Sequence, residues 1–213
     1  MNRILAICAT TMGMLTLVSF GSYGTATKVE ELATKKEPLI NNQVQNHEAS
    51  SKQQMQNIAK QKMQQFGKQL KSELLNAIGT GGFESAVEVC QQQAPKIAAE
   101  LSTNGWTLSR TSLKTRNPDN QPNEWQKEVL VNFEQQLKQG KAMDKLVFSD
   151  IKNGQFRMMK AIPTGQLCVA CHGTNISSDL REKINQHYPQ DTAINFSLND
   201  IRGAFSVTAP MSE

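Results

Sequence analysis

Apolar residues recur every three or four positions through Met55, Ile58, Ala59, Met63, Phe66, Leu70, Leu74 and Ile78. That spacing places them on one face of a helix, with Gln and Lys on the other. Gly79-Thr80-Gly81-Gly82 ends the pattern. It resumes through Phe83, Val87, Cys90, Ala94, Ile97 and Leu101, which predicts a second helix with Cys90 in the middle of its apolar stripe. Pro95 predicts a kink or restart within it, because proline lacks the amide hydrogen that a helix interior uses. Trp106 to Lys114 reads as a strand, and 116–122, with two prolines, as a loop. Trp125, Val129, Leu130, Phe133 and Leu137 predict a third helix over Asn123 to Gln139, stopped by Gly140.

Beyond it the period shortens. Leu146 to Ile151 and Gln155 to Ile162 are strand-like runs separated by Asn153-Gly154, a pair whose tolerance of positive φ suits a two-residue hairpin. In the second run Phe156, Met158, Lys160 and Ile162 share one face, opposite Arg157, Met159 and Ala161. A segment from Pro163 through the Cys168–His172 cluster reads as a loop, then a short helix near Ser178–His187 ends at Tyr188-Pro189. Ile201 to Thr208 is the last predicted strand.

The N-terminus has a different character. Met1-Asn2-Arg3 is followed by an apolar run to about Phe20 and then by small residues ending Gly24-Thr25-Ala26. A basic start, an apolar middle and small residues before a cut form the secretory pattern, so 1–26 is expected to be a signal peptide cleaved near Ala26. The alternative, a retained anchor, is disfavoured by the Thr, Gly and Ser residues that interrupt the run. No later stretch is apolar enough to span a bilayer. Residues 27–50, with Pro38 and Asn41-Asn42, read as a polar lead-in or tether, in part helical, and 51–213 as one domain. Export places the mature chain in the periplasm. The formal charge of +4 comes with no dense Lys/Arg block and no basic-aromatic interleaving, which excludes nucleic acid as a partner.

Loss of Cys8 with the signal leaves Cys90, Cys168 and Cys171. An odd count in an exported protein requires a task for the third thiol. Cys168-Val169-Ala170-Cys171-His172 accounts for two of the three and leaves Cys90 as the odd one. In an exported chain CxxCH points to covalent haem: both thiols add to the vinyl groups of one porphyrin, and the adjacent imidazole binds iron. Gly173 lets the chain leave without a side chain crowding the ring. One motif implies one haem c. Three other readings compete. A redox dithiol wants a helix beginning at the first cysteine. A zinc site wants further ligands, such as Cys90 or His187. A disulfide between cysteines three apart is strained. For the sixth iron position the candidates are Cys90, His47, His187 and Met55, Met63, Met143, Met158, Met159 and Met211. Cys90 fits equally a small hydrophobe in a helix core and a thiolate aimed into a dry pocket. Arg110, Arg116 and Arg202 are candidates for propionate pairing, with Arg116 foremost, and Met158 and Phe156 for walling the ring.

The chain resembles the Tll0287-like family of c-type haem proteins. The resemblance rests on Ala86 to Cys90 with Ala94 to Ala98, Arg110 to Pro118, Pro122 with the Trp125 helix, Cys168 to Gly173, and Arg202 to Val207. It covers about residues 60–209. It implies an α+β, PAS-like fold with an antiparallel sheet flanked by helices. It also implies haem c on Cys168 and Cys171, His172 as proximal ligand and Cys90 as distal ligand. A thiolate stabilises ferric iron, so the potential should be low. Release of Cys90 on reduction would open the iron to a small gas or free its helix, a redox switch. The expected role is a redox or small-ligand sensor acting on a redox or signalling protein. An electron carrier is the alternative, and a haem enzyme with an open sixth site a weaker one. A second copy, paired through the Met55–Ile78 helix, is a further candidate partner.

Overall fold

Four helices and four strands build the described part of the chain, in the order αβαββααβ. The computed structural model describes residues 27–211, with side chains from Ala49 onward. The expected signal peptide and its cleavage point, Cys8 and the side chain of His47 lie outside the described residues. Helix α1 is assigned over Thr27–Leu101, interrupted by non-helical backbone at Gly81 (φ −147°) and Gly82 (φ 74°). The glycine cluster therefore ends one helix and allows another to start, as its composition predicts. Pro95 does not end the second arm. The stretch 27–50 is helical throughout, through Pro38 and Asn41-Asn42. Its Lys, Glu, Leu and Gln residues are strong helix formers and outweigh single breakers. Among the described residues, those up to Asn46 and those from His47 onward form separate units, the second holding everything that follows.

Strand β1 is Thr107–Thr111, and helix α2 is Glu124–Lys138. A reciprocal capping box starts α2: Asn123 Oδ1 accepts from the Gln126 amide, and Gln126 Oε1 accepts from the Asn123 amide. Strands β2 (Val147–Lys152) and β3 (Gln155–Pro163) form the expected hairpin, with Asn153 at φ 53° and Gly154 at φ 69°. Two consecutive positive φ values give the turn whose twist matches the strands. Helix α3 is Gln166–His172, helix α4 is Ser178–His187 and strand β4 is Ile201–Pro210. The sheet is antiparallel in the order β1-β4-β3-β2.

The alternation along β3 decides how the layers assemble. Phe156 and Met158 join Leu108 and Val207 against Ala59, Met63, Phe66, Leu70, Ala94 and Ile97 of α1. Met159 and Ala161, on the opposite face, pack with Ala204 against Val129, Leu130 and Phe133 of α2. Both faces of the sheet are covered, so the fold is α+β with helices flanking an antiparallel sheet, as expected. A third apolar cluster lies off the sheet: Val87 of α1 meets Leu180, Ile184 and Tyr188, with Phe83, Cys171 and Ile176 against it. This third cluster brings the Cys90 arm beside the CxxCH segment. No helix among the described residues is long and apolar enough to cross a membrane.

Candidate functional site

The CxxCH segment is not a loop. It forms most of α3, a short helix that starts before Cys168 and ends at His172. Its flanking Thr and Gly residues suggest a loop in sequence, but Gly165 and Gly173 lie just outside and serve as its caps. Cys168 and Cys171 are one turn apart on one side of the helix, half-buried and unbridged. Gly173 closes the helix through its amide to the Val169 carbonyl at 2.9 Å. A Cβ at Gly173 would run into that same carbonyl, so the position demands glycine for space.

His172 is held from several sides. Its Nδ1 lies 2.7 Å from the Ala193 carbonyl, which can only accept, so Nδ1 carries the proton and donates. Nε2 is left with a lone pair. The His172 carbonyl accepts from the Phe196 amide at 3.0 Å, and the Phe196 ring stands edge-on to the imidazole at 6.4 Å and 90°. Burial holds the imidazole pKa well below its ordinary value, and Arg202 and Arg116 push the same way, against the Ala193 hydrogen bond. A neutral imidazole with a free Nε2 is the form that binds a metal.

Cys90 sits half-buried on the helix arm facing this motif, one turn beyond Val87. Burial pushes its thiol up, and Arg110, Arg116 and Arg202 pull it back. Burial likewise raises Cys171 to about 11. All three candidate arginines thus lie close enough to act on the Cys90 thiol, and Arg116 acts on Cys171 as well. Arg110 is depressed by burial and lies over Phe66 at 5.0 Å, with no carboxylate paired to it among the described residues. Arg202, lowered to about 10 by burial, stacks over Phe196 at 5.2 Å, and its Nε has no partner. Arg116 is different: its Nη2 donates to the Cys171 carbonyl at 2.6 Å and to Asp191 at 3.0 Å, while its buried Nε is unpartnered. Thr164 Oγ1, fully buried four residues before Cys168, also lacks a partner.

The remaining candidates fall elsewhere. Met158 is fully buried with Phe156 in the cluster between α1 and the sheet, not in the cluster around Cys171. His187 is half-buried with Nδ1 2.8 Å from Gln91 Oε1, a surface tie between α4 and α1. Sequence reasoning missed Tyr188, Asp191, Ala193 and Phe196. The segment 188–200 has no periodicity to read, and a backbone carbonyl leaves no trace in side-chain identity. The one available signal was Asp191 itself, an acid a few residues after a Tyr-Pro stop.

The donor set matches a covalently held porphyrin better than its rivals. Two thiols on one helix turn lie beside a neutral imidazole with one nitrogen free. Arg110 and Arg202, half-buried and with no carboxylate paired to them among the described residues, would be completed by a ligand that brings carboxylates, as a porphyrin's propionates would. For the zinc alternative, no group of three or more His, Cys, Asp or Glu side chains is arranged to hold a metal among the described residues.

No curated protein matches the sequence. Among solved structures, the crystal structure of the cyanobacterial haem-protein Tll0287 matches at 26% identity and a TM-score of 0.53, covering 70% of this chain and 92% of that one. The Tll0287-like family matches over residues 26–210, nearly the whole chain, and the protein belongs to that family.

Proposed function

We propose that this chain is an exported mono-haem c protein, with haem bound through Cys168 and Cys171, His172 as the proximal ligand and Cys90 as the distal one. The observation that carries the reading is the 2.7 Å hydrogen bond from His172 Nδ1 to the Ala193 carbonyl, which leaves Nε2 as the only free nitrogen. Second-sphere donation of this kind orients a metal-binding imidazole and raises its basicity. The relationship to a cyanobacterial haem-protein supports the same cofactor.

The chain's own residues divide the work. Arg110 and Arg202 offer charge to the propionates, and Arg202 Nε and Thr164 Oγ1 are buried donors in need of an acceptor. Cys90 arrives as a thiol that burial holds protonated, so ligation releases a proton. When bound, haem supplies a one-electron iron couple whose ferric state a thiolate favours. Ferrous iron would hold a thiolate less tightly, and protonation would oppose the bond further, so Cys90 would be the group freed on reduction. That makes the protein a redox or small-ligand sensor in the periplasm, working through a protein partner. A simple electron carrier would keep one ligand set in both states.

The test is expression with a periplasmic haem-attachment system. The wild-type chain should retain one haem per chain through denaturing electrophoresis, and the C168A/C171A variant none. A wild-type chain that loses its haem on denaturation would overturn covalent attachment.

A further inference from the structure

The loop between α4 and β4 carries an acid that the proposed chemistry does not use. Asp191 has a side chain 2% exposed, and Arg116 one 8% exposed, with 3.0 Å between Oδ2 and Nη2. Arg181 adds a second, longer contact to Oδ2 at 3.6 Å. A buried ion pair is costly unless further hydrogen bonds complete it. Here each partner makes such a bond, and both bonds lead to the same histidine. Asp191 Oδ1 accepts from the Ala193 amide at 2.8 Å, and the carbonyl of Ala193 is the group that receives His172 Nδ1 at 2.7 Å. Arg116 Nη2 holds the Cys171 carbonyl at 2.6 Å, immediately before His172, and approaches the Ala193 carbonyl at 3.5 Å. The backbone on either side is tied as well: Thr192 and Thr115 exchange bonds of 2.9 and 3.0 Å.

Resting on the haem reading above, we infer that Arg116 and Asp191 are positioning residues for the proximal histidine. Asp191 locks the Ala193 peptide whose carbonyl selects the Nδ1–H tautomer. Arg116 locks the last turn of α3 against that same loop. Together they fix where Nε2 points before any axial bond forms. The pair therefore acts on the iron through His172. This assigns Arg116 Nη2 to the protein and leaves propionate pairing chiefly to Arg110 and Arg202.

The test uses the haem-loaded full chain and three variants, R116Q, D191N and D191A. D191N keeps the Oδ1 acceptor and the shape but loses the charge, so it reads the effect should D191A fail to fold. Weakening the carbonyl hydrogen bond makes His172 a poorer donor, which disfavours ferric iron. Outer-shell changes commonly cost 10- to 100-fold. The expected result in the loaded fraction is a rise in midpoint potential worth about tenfold, about 59 mV for one electron. It should come with altered g anisotropy in the ferric resonance. Lowered thermal stability with an unchanged potential and an unchanged resonance would make the pair merely structural and overturn the inference. Should the wild type take up no haem, 15N shifts of His172 in the haem-free chain give the answer independently. A wild-type Nδ1–H tautomer that becomes a mixture in D191N or D191A supports the inference, and the same tautomer in all three chains defeats it.

Discussion

Replacing Ile184 by alanine tests how the Cys90 arm and the haem motif are held together. Ile184 is 0% exposed and sits between Leu180 and Tyr188 on the one buried stripe of α4, against Val87 of α1 and Cys171 of α3. The substitution removes three buried carbon groups. At about 0.8 kcal/mol each, the transfer loss is about 2.4 kcal/mol. A cavity that closes incompletely adds to this, bringing the total to about 3–4 kcal/mol, within the range for buried Ile→Ala changes. The polar ties across the same seam, Lys183 with Glu88 and His187 with Gln91, lie at its rim. K183A should therefore cost less than about 1 kcal/mol. Urea denaturation of both variants gives the comparison, with haem retention as a second readout. A loss under about 1 kcal/mol for I184A, or a K183A loss equal to it, would show that the apolar seam does not hold these elements.

Three further outcomes follow from the geometry. Tyr188 is raised to about 12 by burial, so its neutral form stabilises the fold. That contribution is complete below about pH 10, where the unfolded phenol begins to ionise, and is lost as pH rises toward 12. Wild type and Y188F should diverge in stability over that window and not below it, measured by urea midpoints. A Cβ on Gly203 would meet the Thr111 carbonyl across the β1–β4 pair, so G203A should destabilise by about 1–3 kcal/mol, and an unchanged thermal midpoint would refute the close approach. C90A, with no thiolate to displace, should bind carbon monoxide in the ferrous state at every pH, whereas wild type should bind faster as pH falls. Equal rates in the two proteins at every pH would refute a pH-dependent competition of Cys90 for ferrous iron.

How much of this was legible in sequence depended on whether side chains carried the information. The three-and-four spacing from Met55 to Leu101 marked both arms of α1, and Gly81-Gly82 marked the break, because helix faces and glycine φ values are local properties. Asn153-Gly154 fixed the β2–β3 hairpin for the same reason. The CxxCH residues were readable as a motif, but not as a helix, since two short turns bounded by glycines have no periodicity to detect. The arginines were found as charges near a cofactor. Their different tasks were not, because Arg116 differs from Arg202 only in what its Nη2 reaches, 55 and 75 residues away in sequence. Ala193 could not be found at all. Its function lies in a carbonyl presented by a loop, and any residue type has that carbonyl.

Two features that lie far apart in sequence meet at this site. A helix arm carries a thiol into the neighbourhood of three arginines, and a loop carbonyl aims the imidazole of a short cysteine-bearing helix. Its central claim is that Cys90 and His172 take opposite faces of one covalently held haem. Low-temperature electron paramagnetic resonance on the ferric, haem-loaded protein tests that claim most directly. A compact rhombic low-spin signal, abolished in C90A, is the predicted result. A widely spread low-spin signal that survives C90A would place methionine or histidine on the iron and contradict the claim, and a high-spin signal in the wild type would mean that Cys90 does not reach the iron.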